Sequence, residues 1–411
     1  MARQSMPADS SALQWNCQWT PGNRVHLLCS GVEYFPALLR AIDQASIEIH
    51  LETYIYAGDS TGVQVTDALV RAAQRGVRVQ LIIDGYGAHD MPARLRTQLK
   101  QAGVRLLVFR PDISLRLKRH RLRRMHRKLV VIDARIGFVG GINIIDDMDT
   151  PHQTPPRFDY AVQIEGPLVS QMHAAAERLW RLVAWARLQQ RWREERAVPE
   201  SPKLPQACGP YRAAFLVRDN LRHRRDIEQA YLQAIESAQD EIIIANAYFL
   251  PGWRFRRALT DAATRGVRVT LLLQGRIEYV LLHYASRALY GPLLQAGVRI
   301  YEYQRSFLHA KVAVIDSCWS TVGSSNIDPF SLALAREANV VVYDADFGQQ
   351  LRASLMQALE SGAQVVLRSR WVHQPWWRRV PIWIGYGLAR LLMGLAGYGD
   401  SANSLSIRAR D

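Results

Sequence analysis

The sequence repeats itself, and that repeat limits what the chain can fold into more than any other feature. "ALVRAAQRGVRVQLIIDG" (68–85) returns as "ALTDAATRGVRVTLLLQG" (258–275). "QAGVRLLVFR" (101–110) returns as "QAGVRIYEYQ" (295–304), and "MHRKLVVIDARIGFVGGIN" (125–143) as "LHAKVAVIDSCWSTVGSSN" (308–326). The three pairs keep one order, at offsets of 190, 194 and 183 residues. One match could arise by chance; three in register imply two homologous halves.

Within each half the pattern is the same. A helix with apolar periodicity ("FPALLRAIDQA", "IEQAYLQAIESA") leads into an apolar strand ("SIEIHLETYIY", "EIIIANAYFL"). A second helix ends in Arg75-Gly76 or Arg265-Gly266, where glycine suits a helix C-terminus. Next comes "VRVQLIID" or "VRVTLLLQ", a short run rich in β-branched residues. Strands alternating with helices predict an α/β fold with a largely buried sheet. The polar, proline-rich stretch 193–210 reads as a linker, so domains are expected at 1–200 and 201–370, followed by a tail at 371–411 rich in Trp and Arg.

The chemistry lies in the third repeat. His126 and Lys128 stand two apart with Asp133 five residues on, and His309, Lys311 and Asp316 repeat that spacing. Residues i and i+2 of a strand share a face, so each His-Lys pair is expected to point one way. A cation beside an imidazole suits a phosphate oxyanion with a nucleophile or acid at hand. Seven residues past each aspartate comes a glycine-rich turn, Gly140-Gly141-Ile142-Asn143 or Gly323-Ser324-Ser325-Asn326. Glycine there permits close backbone approach, and Ser324, Asn143 and Asn326 offer hydrogen bonds to a phosphoryl oxygen. A lone His-x-Lys is usually a surface pair; two copies, each with its Asp and its turn, reverse that reading.

A net charge of +15 points to a polyanionic partner: nucleic acid, an anionic membrane surface or phosphorylated substrates. Much of it is dense, with eight cations and no acid between Arg116 and Lys128. Four scattered cysteines, with no Cys-x-x-Cys or Cys/His cluster, argue against a disulfide framework or a structural zinc site and fit a reducing compartment. No nucleotide-binding Gly-rich loop appears, and neither metal nor cofactor is expected.

Two full copies of H-x-K-x4-D followed by G-[GS]-x-N resemble the phospholipase D superfamily. Within it, "RDNLRHRRDIEQAYLQAI", "IIIANAYFLPGWRF" and "VGSSNIDPFSLALAREANV" look like the second half of bacterial cardiolipin synthases of the B type. The resemblance covers about residues 22–360. It implies two phospholipase D-like α/β domains with pseudo-two-fold symmetry, mixed sheets flanked by helices, and an active site at their interface. It also implies that one histidine attacks phosphorus to give a phosphohistidine. The other protonates the leaving alcohol and deprotonates the incoming one. His126 is favoured as nucleophile because the basic run around it would hold an anionic donor. Lys128 and Lys311 would clamp phosphoryl oxygens, aided by Asn143 and Asn326. Glu337 and Asp159 would each orient a histidine. Asp133 and Asp316 belong to the catalytic motif, yet lie far enough past the lysines to be expected to brace loops.

The implied reaction is phosphatidyl transfer between two phosphatidylglycerols, giving cardiolipin and glycerol. Partners would be anionic phospholipid and the membrane surface, on the cytoplasmic side of an inner membrane, with no nucleic acid. Hydrolysis by a phospholipase D and cleavage of nucleic acid are the alternatives, and a Trp-rich amphipathic tail has no obvious use on DNA. In that tail, Trp371, Trp376, Trp377 and Trp383 sit beside Arg378 and Arg379, as interfacial anchors do. Four glycines and Arg390 weaken 380–398 as a spanning helix, so a shallow anchor is expected.

Overall fold

The computed structural model describes residues 17–110, 123–150, 153–186, 205–219, 223–328 and 335–395. Most of the basic run (111–122), most of the linker (187–204) and the last sixteen residues (396–411) lie outside the described residues.

The first half runs β1 (Thr20–Cys29), α1 (Ser30–Asp43), β2 (Glu48–Thr53), α2 (Ser60–Gln74), β3 (Arg78–Asp84), α3 (Ala93–Gln101), β4 (Arg105–Phe109), β5 (Arg124–Met125), β6 (Leu129–Ile132), β7 (Ile136–Gly140), β8 (Tyr160–Glu165) and α4 (Leu168–Ala186). The second runs β9 (Tyr211–Arg218), α5 (Asp226–Ser237), β10 (Glu241–Asn246), α6 (Trp253–Thr264), β11 (Arg268–Gln274), α7 (Val280–Arg287), α8 (Tyr290–Gln295), β12 (Arg299–Tyr303), β13 (Lys311–Ile315), β14 (Trp319–Gly323), β15 (Ala335–Tyr343) and α9 (Ala345–Gly362). The chain continues through β16 (Ala363–Val365), α10 (Arg368–Val372) and α11 (Trp376–Leu395).

Apart from β5, which pairs with β15, the strands form one sheet in the order β16-β12-β11-β10-β13-β14-β15-β9-β1-β8-β7-β6-β2-β3-β4. Outward from the β9–β1 junction the two arms list corresponding strands in the same sequence, which is the pseudo-two-fold symmetry the repeat implied. In each arm three parallel strands (β2, β3, β4; β10, β11, β12) adjoin antiparallel ones, so the sheet is mixed. β3 and β11 are buried at every residue but the first, as strands inside a covered sheet are, with Gln80 and Thr270 as the polar breaks in otherwise apolar centres.

The turns carry the expected chemistry. Gly76 and Gly266, just past α2 and α6, adopt φ of +90° and +97°, the left-handed conformation that glycine adopts at least cost. Asp133 and Asp316 are left-handed too, and what holds them there is clear. Asp133 accepts from the backbone of Ser46, Ile47 and Glu48, and Asp316 from Gln239, Asp240 and Glu241. Each motif aspartate therefore fastens the start of β2 or β10, at the strand end remote from the lysine, roughly 17 Å away along the chain.

Candidate active site

Both His-Lys pairs sit where the two arms of the sheet meet. Strand geometry predicted that each pair would lie on a strand. Instead His126 and Lys128 fall in the irregular segment between β5 and β6, and His309 precedes β13, which opens at Lys311. Each lysine still turns toward its histidine: Lys128 Nζ donates to the His126 carbonyl at 2.7 Å, and Lys311 Nζ to the His309 carbonyl.

The orienting carboxylates pair crosswise. Glu337, from the second half, meets His126 of the first, with Nδ1 to Oε1 at 3.0 Å. Asp159, from the first half, meets His309 of the second at 2.6 Å. Backbone pairing enforces the exchange. Met125 pairs with Arg336 in register, and the His126 N–H donates to the Arg336 carbonyl at 3.0 Å. Phe158 bridges Leu308, and the His309 N–H donates to the Phe158 carbonyl at 2.8 Å. With each Nδ1 committed to a carboxylate, Nε2 is the nitrogen left for chemistry.

Desolvation dominates the electrostatics. Burial, with Lys311 beside it, pushes the His309 imidazole down to about 3 against the pull of Asp159. Burial and Lys128 likewise lower His126, opposed by Glu337. Burial pushes the Lys128 ammonium down to about 7 and lowers Lys311. Two buried lysines beside two imidazoles, all with their charged forms disfavoured by burial, make a setting in which a bound anion would be stabilised.

The turns contribute unequally. Ser324 is fully buried, and its hydroxyl donates to Glu337 Oε2 at 2.5 Å, so it positions a carboxylate and is not free for substrate. At the matching place a Cβ on Gly141 would lie 2.3 Å from Asp159 Oδ1. The shorter acid goes with glycine and the longer one with serine. Asn143 Oδ1 accepts from Ile55 N at 3.2 Å, whereas Asn326 Oδ1 is buried with no hydrogen-bond partner.

Three further residues had not been singled out from the sequence. The Tyr54 ring lies 4.8 Å from the His126 ring, with Lys128 Nζ 5.4 Å over its centre. Asn246 Oδ1 accepts from Ile327 N at 3.2 Å. Asp84 anchors the segment before His126 by accepting from Met125 N at 2.8 Å. The signal for them was available, since aligning the repeats sets Tyr54 against Ala247, Thr53 against Asn246, and Asp84 against Gln274.

Among the described residues one group has metal-ligand character: Glu48, His50 and His173, away from the His-Lys pairs. Glu48 already accepts from His173 at 2.6 Å and from Arg78. Against the opposing effect of burial, His173, His50 and Arg78 hold its carboxyl well below the usual range. The matching Glu241, which is only partly buried, is covered by Arg352 at 2.5 Å and Arg268 at 3.7 Å, so in both halves cations compensate this carboxylate.

The profile described as "Cardiolipin synthase, PLD-like domain" matches residues 38–180 and 231–359, one segment in each half. Cardiolipin synthase B of Escherichia coli K12 is 39% identical over 393 residues, 93% of this chain and 91% of that protein. Cardiolipin synthase 1 of Bacillus cereus is 31% identical, over 78% of this chain and 63% of its own. Phosphatidylserine synthase of Haemophilus influenzae superposes with a TM-score of 0.64 at 13% identity, covering 91% of this chain and 93% of that one, which speaks for the fold alone. On the profile match and the identity across nearly the whole chain, this protein belongs to the cardiolipin synthase family with phospholipase D-like domains.

Proposed function

We propose that the protein transfers a phosphatidyl group from one phosphatidylglycerol to the free hydroxyl of another, releasing glycerol and forming cardiolipin. The observation that carries the mechanism is the crosswise pair of His–carboxylate contacts, which leaves both imidazole Nε2 atoms uncommitted in the neighbourhood of Lys128 and Lys311. His126 Nε2 forms a bond to phosphorus as the bond to the departing glycerol oxygen breaks, and that oxygen takes a proton from His309. The hydroxyl of the second phosphatidylglycerol then gives its proton to His309 and attacks phosphorus as the N–P bond breaks. Two lipids give one cardiolipin and one glycerol, with no nucleotide consumed.

His309 is neutral in the free protein; the negative phosphodiester is the charge that lets it hold a proton. Assigning His126 as nucleophile is supported by Tyr54, which walls off that side, where no alcohol need pass. Lys128 and Lys311 would clamp the phosphoryl oxygens, aided by the buried Asn143 and Asn326.

The enzyme would work peripherally on an anionic bilayer, on its cytoplasmic side. Among the described residues no helix is long and apolar enough to cross a membrane. α11 packs Ile382 and Ala389 inward and leaves Trp376 (77%) and Trp383 (62%) exposed, with Ile384 and Leu391 beside them. Such a face suits the headgroup–acyl boundary, and a net charge of +15 favours anionic lipid.

Purified protein given vesicles of labelled phosphatidylglycerol should form cardiolipin and release glycerol. His126→Ala and His309→Ala should each lower the rate by roughly a thousand-fold or more. Phosphatidic acid as the sole product would replace transfer with hydrolysis.

A further inference from the structure

The two halves differ beside their His-Lys pairs. Where Tyr54 covers His126, the matching residue is Ala247, which lines a narrow open cleft together with Gln274, Glu278 and His283. The cleft adjoins Lys311: Asn246 pairs with Lys311 across the ladder, and Ala247 N donates to Ala310 O at 3.0 Å. Its lining is polar. Gln274 is 92% buried and its Nε2 has no hydrogen-bond partner, while Arg276 N reaches the opposite end, Oε1, at 3.4 Å. Tyr248 Oη donates to Glu278 Oε2 at 2.5 Å, and the carboxylate keeps a second oxygen for another donor. In the first half the residue matching Gln274 is Asp84, whose carboxylate is taken up by Met125, Tyr86 and Gly87 N–H groups. The second half has an unused buried donor where the first has a saturated anchor.

A buried amide donor facing an acceptor carboxylate, next to the site of phosphoryl transfer, fits a ligand that both accepts and donates at neighbouring oxygens. We infer that this cleft is the alcohol subsite, in which Gln274 and Glu278, with Tyr248 fixing the carboxylate, bind the vicinal diol of a glycerol group at the alcohol that leaves or enters. The inference rests on the phosphatidyl-transfer reading and deepens it. A diol held here has its reacting oxygen on the His309 side of phosphorus, opposite Tyr54. The rim is apolar, with Ile277, Tyr279 and Val280 exposed, and α7 carries the cleft on one flank and α11 on the other. A glycerol headgroup still attached to a lipid would enter from that rim.

The test compares two acceptors offered to phosphatidylglycerol vesicles: labelled free glycerol, read as label exchanged into phosphatidylglycerol, and 1-propanol, read as phosphatidylpropanol. A site built to hydrogen-bond a hydroxyl rejects an analogue that lacks it. The wild type should prefer glycerol by roughly ten-fold or more, and Gln274→Leu and Glu278→Gln should each reduce that preference by about ten-fold while phosphatidylpropanol formation persists. Glu278 is exposed, so Glu278→Gln keeps the fold even if the buried Gln274 change does not. An unchanged glycerol-to-propanol ratio in Glu278→Gln, with both products still formed, overturns the subsite. If the wild type forms neither adduct and yields only phosphatidic acid, the transfer reading fails and the subsite with it.

Discussion

Lys128 places an ammonium where burial makes the charged form costly, and its proton is held at about 7 instead of near 10.5. Between those values the unfolded chain binds the additional proton, so the contribution of Lys128 to stability rises with pH across that window. An anion reverses the balance, because an opposite charge at contact distance restores the ammonium. Sulfate binding at pH 8, measured by calorimetry in buffers of different ionisation heat, should therefore take up close to one proton per site. The uptake should fall markedly in Lys128→Met; a wild type that binds sulfate without proton uptake would contradict the desolvated lysine. Two other residues show the halves diverging in matched steps. Arg127 and Glu52 form a buried bidentate pair at 2.5 and 2.6 Å, and their counterparts are Ala310 and Ala245. One partner alone would be a stranded buried charge, which accounts for the two positions differing as a pair. Arg127 thus leaves the basic run that the sequence appeared to offer to an anion.

Among the elements, α11 departs most from its sequence. Its glycines read as helix-weakening, yet 376–395 is one helix, and Gly385 explains why. A Cβ there would lie 2.9 Å from Tyr284 Cβ, so glycine lets α11 close onto α7, and packing outweighs propensity. The apolar face left outside should bind vesicles. Trp376→Ser with Trp383→Ser should weaken co-sedimentation with phosphatidylglycerol vesicles by roughly ten-fold or more while the fold persists. Unchanged partitioning would move membrane contact elsewhere. The strands and helices of both halves were legible because each writes its period into a short window, and the repeat wrote it twice. The two His-Lys pairs were legible for the same reason. The crosswise pairing was not, since His126 and Glu337 lie 211 positions apart and His309 and Asp159 lie 150, beyond any local pattern.

At the scale of the molecule, the site belongs to neither half. Each histidine is oriented by a carboxylate from the other half, so a displacement between the two would uncouple both at once. A single chain contains both histidines and both carboxylates, and one chain should suffice for turnover. Co-expressed full-length His126→Ala and His309→Ala chains should therefore recover no activity together; substantial recovery would mean that the halves exchange between chains.

The crosswise contacts also bear on ancestry. A duplicated unit whose histidine requires a neighbour's carboxylate could have worked only as a pair of identical copies. In such a pair every substitution appears twice, so the two histidines must keep identical surroundings. Two copies in one chain are free of that constraint. One copy can hold Tyr54 where the other holds Ala247, and one can carry Asp159 where the other carries Glu337. Covalent linkage gave two once-equivalent histidines separate selective histories, which a symmetric dimer could never have granted them.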